Sequence, residues 1–111
     1  MKIFAIFIII YFNINLNVDA GEISGVPRIT DGDTIKILNK RIRFHGIDTP
    51  EKKQICIKSF KEYRCGQEAT NALKKKINGK SVVCKVQNKL DRYKRYIGVC
   101  FLDDIDLNKW M

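Results

Sequence analysis

The chain has 111 residues, of which 21 are Lys or Arg and 12 are Asp or Glu, for a net charge of +9. This length holds one small domain and not two, and a 45% hydrophobic share excludes a disordered chain. The excess of positive charge favours a polyanionic partner, either nucleic acid or an anionic membrane surface.

Residues 1–20 stand apart from the rest. Lys2 supplies a short positive start, Ile3 to Phe12 is an unbroken apolar run, and Val18-Asp19-Ala20 forms a small-x-small cleavage pattern before Gly21. Ten apolar residues make about 15 Å of helix, half the ~30 Å that a bilayer requires. The segment therefore reads as a secretory signal. Residues 21–111 are expected to form the exported domain, periplasmic or secreted, with no stable membrane association after cleavage. In an exported chain the four cysteines, Cys56, Cys65, Cys84 and Cys100, read as two disulfides, for which three connectivities exist. Intervals of eight, eighteen and fifteen residues between them lack the close Cys pairs of a zinc site.

Glu22 to Ile29 is expected to form a first strand, weakened by Gly25 and Pro27. After an Asp31-Gly32 turn, Thr34 to Ile37 alternates as a second strand. A third strand puts Ile42 and Phe44 on one face and Arg41, Arg43 and His45 on the other. Glu51 to Arg64 reads as a basic, irregular stretch. From Gly66 the period turns helical, with Ala69, Ala72, Leu73 and Ile77 as the apolar stripe and Asn78-Gly79 as the stop. Val82 to Val86 and Arg95 to Leu102 are the last two strands, and Leu107 to Met111 begins a second helix.

The pattern predicts a mainly β, α+β domain: a five-stranded barrel of the oligonucleotide-binding type, with a full helix between strands three and four and the start of another at the C-terminus. Pairing the last hairpin about a centre near Arg92 sets Cys84 opposite Cys100, which suits a cross-strand disulfide. The remaining pair, Cys56–Cys65, would tie the basic stretch to the start of the helix.

Acidic residues gather in Asp31-Gly32-Asp33-Thr34 and Asp48-Thr49-Pro50-Glu51, near strand ends. Asp33 and Asp48 suit a hard divalent cation, and two arginines on separate strands suit a phosphate held by paired hydrogen bonds. His45, the one histidine, is read as a strand residue opposite Phe44 and not as a catalytic base.

From Gly25 to Met111 the sequence resembles the staphylococcal nuclease-like (thermonuclease) family. The resemblance is carried by Ile29-Thr30-Asp31-Gly32-Asp33-Thr34-Ile35, by Ile42-Arg43-Phe44-His45-Gly46-Ile47-Asp48-Thr49-Pro50-Glu51, and by Cys65-Gly66-Gln67-Glu68-Ala69. It continues in Asp91-Arg92-Tyr93-Lys94-Arg95 and ends in Asp106-Leu107-Asn108. It implies a calcium-dependent endonuclease that hydrolyses DNA and RNA with little sequence specificity. On that resemblance Asp33, Asp48 and the Thr49 carbonyl match the calcium ligands, and Arg43, Glu51 and Arg95 match the catalytic trio. Lys52, Lys53 and Lys94 are expected to meet the nucleic acid. Lys94 stands where the family usually has glycine. The resemblance spans roughly the family's first two-thirds and implies a C-terminally truncated member of the disulfide-containing, exported type. Tyr63, Tyr93 and Tyr96 lie at other positions than the substrate-contacting tyrosines that follow in the family. The rival reading is a nucleic-acid-binding barrel whose catalysis the truncation has impaired.

Overall fold

A computed structural model describes residues 21–111; the signal-peptide reading of residues 1–20 lies outside the described residues. The first predicted strand is broken in two. Strand β1 (Gly21–Gly25) and strand β2 (Arg28–Asp31) are separated at Val26-Pro27, where Gly25 takes φ +151° and Pro27 has no N–H for a ladder. Strands β3 (Thr34–Ile37) and β4 (Lys40–Phe44) follow as an antiparallel hairpin with Ile35 opposite Ile42.

The stretch Glu51 to Arg64 is not wholly irregular. It contains a small separate hairpin, β5 (Cys56–Lys58) and β6 (Lys61–Tyr63), which the sequence reading missed. Helix α1 (Cys65–Ile77) buries Gly66, Thr70, Leu73 and Ile77, whereas Ala72 faces solvent, so the buried stripe lies slightly round the helix from the expected one. The buried Thr70 hydroxyl donates back to the Gly66 carbonyl at 2.8 Å, which satisfies it. The helix ends as its sequence predicts: Asn78 adopts the left-handed conformation and its N–H returns to the Lys74 carbonyl at 2.8 Å.

Strand β7 (Val82–Val86) alternates cleanly, with Val82, Cys84 and Val86 inward. It pairs with β8 (Tyr96–Leu102) in the register that sets Cys84 against Cys100. A short β9 (Ile105–Asp106) returns on β8, and α2 (Leu107–Trp110) follows.

The main sheet runs β1-β7-β8-β4-β3-β2, with β9 on β8. Every pairing is antiparallel except β4 with β8, where Ile42, Arg43 and Phe44 lie beside Tyr96, Ile97 and Gly98. This parallel join curls the sheet into the expected barrel-like body. Its core holds Ile35, Ile37, Ile42 and Phe44 from the sheet, Leu73 and Ile77 from α1, and Leu107 from α2. Both expected disulfides are present, Cys56–Cys65 and Cys84–Cys100. The second is sealed in the core, both of its cysteines being fully buried. Among the described residues no helix is long and apolar enough to cross a membrane.

Asn108 locks the C-terminal turn to the sheet. Its side-chain oxygen accepts the Cys100 N–H at 3.1 Å, and its amide donates to the carbonyls of His45 and Gly98 at 2.9 and 3.0 Å. A buried amide with three partners fixes where β4 ends, and therefore where the following acidic segment begins.

Candidate active site

The site is built on the rim formed by the β2–β3 turn, the end of β4 and the segment after it. Strand β2 carries a bulge between Ile29 and Asp31, so Asp31 is re-aimed and pairs with Thr34 across the turn. Asp33, inside that turn, is 4% exposed. One of its oxygens accepts the Thr34 hydroxyl at 2.9 Å; the other accepts the Thr49 N–H at 3.0 Å. The Phe44 N–H donates to the Asp33 carbonyl at 2.7 Å, which fastens the turn to β4.

Arg43, opposite Thr34 in β4, reaches over this turn. Its guanidinium pairs with Asp33 at 2.8 Å, donates to the Ile47 carbonyl at 3.3 Å, and meets Asp48 at 3.5 Å. One guanidinium thus draws together the buried Asp33 and Asp48, whose side chain is 88% exposed. Glu51 is held through its backbone. Its N–H donates to the Gln54 side-chain oxygen at 3.2 Å, and its carbonyl accepts the Gln54 N–H at 2.8 Å. Gly66 lies hard against that carbonyl, since a Cβ there would fall 1.6 Å from its oxygen. The α1 start and the Glu51 segment can approach this closely only because position 66 has no side chain.

Arg95 comes from the far side. Asp91 accepts the backbone N–H groups of Tyr93 and Arg95 at 2.9 and 2.8 Å, and the Arg95 Nε at 2.8 Å. Because Asp91 holds Arg95 at Nε, the two terminal nitrogens of the fork make no hydrogen bond among the described residues. The ring of Tyr93 lies under both Arg92 and Arg95, at 4.9 and 5.1 Å.

These elements enclose an open depression of about 460 Å³. Asp33, Arg43, Asp48, Thr49, Glu51 and Arg95, six of the residues singled out in the sequence, all line it. Lys52 and Lys53 do not; they line a neighbouring recess with Gln54 and Arg64. Lys94 is exposed and makes the turn before Arg95 with φ +60°. Three further residues, to which the sequence reading gives no role in the site, line the depression: Asp31 and Tyr93, which lie inside the motifs named from the sequence, and Arg41. For Arg41 the signal was present, since it lies two residues before Arg43 on one strand face. Tyr93 lies within the Asp91–Arg95 motif, two residues before Arg95, but its type alone assigns it no part in the site. It reaches the cleft because its carbonyl accepts a hydrogen bond from Arg41, fifty-two residues away in the chain.

The two acidic groups of the β2–β3 turn are perturbed in opposite directions. Burial, together with the hydrogen bond and charge of Asp33, raises Asp31 to about 6. Burial also pushes Asp33 upward, but hydrogen bonds from Asp31, the Thr49 backbone, Arg43 and Thr34 outweigh it and hold Asp33 below the ordinary range. Of this crowded pair, Asp31 is therefore the carboxylate that takes up a proton first as the pH falls. The hydrogen bond from Arg43 to Asp33 raises the arginine further.

A raised Asp31 beside the ionised Asp33 marks a turn where added positive charge would be favourable. The Thr49 hydroxyl beside them is buried with no hydrogen-bond partner. Both features fit a hard cation such as calcium, which takes carboxylate, carbonyl and hydroxyl oxygens. Among the described residues no three His, Cys, Asp or Glu side chains close on one point.

Comparison with known proteins gives a consistent answer. The family model described as staphylococcal nuclease homologue matches residues 41–111, from β4 onward. The succinoglycan biosynthesis protein ExoI of Rhizobium meliloti (strain 1021) is 36% identical over 99 residues, covering 84% of this chain and 51% of its own length. An uncharacterized endonuclease of Escherichia coli O157:H7 is 35% identical over 91 residues, covering 78% of this chain and 53% of its own. The chain spans about half the length of these relatives.

Proposed function

The chain belongs to the staphylococcal nuclease homologue family, and on that premise we propose that it is an exported, calcium-dependent phosphodiesterase that cuts DNA and RNA with little sequence preference. The observation that carries this reading is the single depression lined by Asp33, Arg43, Asp48, Thr49, Glu51 and Arg95. Export, with residues 1–20 as a signal and 21–111 as the working domain, is supported by two disulfides, which persist in oxidising compartments.

In this reading Asp33, Asp48 and Thr49 hold the calcium ion. When bound, the ion supplies positive charge that polarises the scissile phosphodiester. Arg43 and the open fork of Arg95 grip the phosphate oxygens as negative charge builds on them. Glu51 orients or deprotonates the attacking water. In-line attack breaks the bond to the 5′-oxygen and leaves a 3′-phosphate end. Arg95 is already seated by Asp91 through Nε, so its fork needs little reorganisation when substrate arrives, whereas Arg43 would exchange its longer contacts to Asp48 and the Ile47 carbonyl for phosphate oxygens.

The test incubates the oxidised protein with single-stranded DNA in calcium and then in chelator. Cleavage should require calcium and fall on the order of 100-fold or more in Arg43→Ala and Glu51→Gln. Salt-sensitive binding by the wild type without any cleavage would replace this reading with that of a binding barrel.

A further inference from the structure

The hairpin β5–β6 has no part in the cleft, yet it concentrates three unfavourable features at one tip. Its two-residue turn is Ser59-Phe60, with φ +52° and +62°. Such a turn normally takes Asn-Gly, and a bulky aromatic at positive φ is strained. Phe60 is also wholly exposed, at 102% of its reference area. Finally, Lys58 lies directly opposite Lys61. Like charges facing each other across a strand pair, with Cβ atoms about 5 Å apart, repel.

Local costs of this kind persist where surrounding structure enforces them, and they cluster at binding sites. Here the enforcement is the Cys56–Cys65 disulfide, helped by the Gly66 N–H donating to the Gln54 carbonyl at 3.2 Å. The chemistry of the tip is specific. An exposed ring has a face for a nucleobase, and two lysines facing each other across the strand pair supply positive charge for a phosphate. Lys58, Lys61, Ser59 and Tyr63 line a recess of about 470 Å³ beside the tip, closed by one carboxylate, Glu68. Cys65, which the disulfide ties to the start of the hairpin, is followed by Gly66, and Gly66 packs on the Glu51 carbonyl, so the hairpin is tethered to the segment that carries Glu51.

We propose that the Ser59-Phe60 tip is a nucleic-acid subsite: Phe60 stacks on an unpaired base while Lys58 and Lys61 hold the adjoining phosphate. The subsite rests on the nuclease reading above and extends it by naming single-stranded nucleic acid as what the chain grips outside the cleft. The tether of the hairpin beside Glu51 favours nucleic acid over a lipid surface.

The test measures binding of a fluorescein-labelled oligo(dT) of about twelve nucleotides, by anisotropy in chelator, to the full chain and its variants. Phe60→Ala and Phe60→Leu should each weaken binding about tenfold, whereas Phe60→Trp should match or exceed the wild type. Lys58→Gln with Lys61→Gln should lower the slope of log K against log salt by about 1.4. Phe60→Gly separates binding from folding, because it relieves the left-handed strain: it should raise the melting temperature yet still weaken binding. Equal affinity for wild type, Phe60→Ala and Phe60→Leu, in a protein that binds and cleaves DNA, would overturn the subsite and leave the nuclease reading intact. A wild type that neither binds nor cleaves would overturn both. Phe60-dependent binding to phosphatidylserine vesicles, retained in Phe60→Leu and with oligonucleotide affinity unchanged, would assign the tip to membranes instead.

Discussion

Lys94 is the one residue of the Asp91–Arg95 turn held at positive φ, +60°, and its N–H donates to the Asp91 carbonyl at 2.9 Å. A side chain in the left-handed conformation costs about 1–2 kcal/mol. Glycine removes that cost but gives back about 0.4–1 kcal/mol through the greater freedom of the unfolded chain. The difference predicts that Lys94→Gly stabilises the fold by about 0.5–1 kcal/mol. At ~2.1 cal/mol/K per residue over the 91 described residues, this corresponds to a rise in melting temperature of about 3–5 °C. The Lys94 side chain is exposed, so the lost charge contributes little. Lys94→Ala is the control, since it removes the same charge but keeps the Cβ, and it should melt within about 1 °C of the wild type. Scanning calorimetry of the oxidised proteins reads all three. If Lys94→Gly melts at or below Lys94→Ala, the strain argument is wrong. Asp91 continues to hold Arg95 in the glycine variant, so cleavage should persist.

Four other outcomes follow from the packing. Gly66→Ala drives a methyl to within 1.6 Å of the Glu51 carbonyl oxygen, so it should destabilise by about 3 kcal/mol and lower cleavage; an unchanged melting temperature would disprove the close approach. Asn108→Ala removes the side-chain partner of the Cys100 N–H and of the His45 carbonyl, while the Gly98 carbonyl keeps the His45 N–H, at a cost of about 2–3 kcal/mol, which the urea midpoint will report. Replacing Cys84 and Cys100 together by Ala frees a loop of sequence separation 16, worth about 3 kcal/mol of chain entropy, or ~15 °C of melting temperature. Burial pushes Asp91 upward, but hydrogen bonds from Arg95 and the Tyr93 N–H prevail and hold it below its ordinary value. Its native pKa is thus below its unfolded one, so its contribution is complete above about pH 4 and lost as pH falls through the native value. The stability gap between wild type and Asp91→Asn should close on that acid limb, and a gap constant down to pH 2.5 would contradict the assignment.

What the sequence made legible was local or symmetric. Asn78-Gly79 ends α1 because a left-handed stop can be read from residue type alone, and the Cys84–Cys100 register follows once the hairpin centre is placed near Arg92. The hairpin at Cys56–Tyr63 was hidden for the opposite reason. Ser59-Phe60 is a poor turn by propensity, and its ends are tied by a covalent bond between residues nine apart. In the cleft, Arg43, Asp48 and Glu51 were found because they share one short segment. Asp31 gains its role from a bulge in β2, and Tyr93 from a bond to Arg41 across the barrel; neither event leaves a trace in the spacing of residues. The parallel join of β4 to β8 is equally silent, because it links segments some fifty residues apart by backbone alone.

Strands β1 and β2 stand at opposite margins of the sheet, yet only Val26 and Pro27 separate them along the chain. One two-residue hinge therefore governs both raw margins, and Pro27 offers no donor to an incoming ladder. A protease that nicked this hinge would unfasten the seam on both sides at once, and the molecule most exposed to strand exchange with its own copies would be one cut between Gly25 and Arg28.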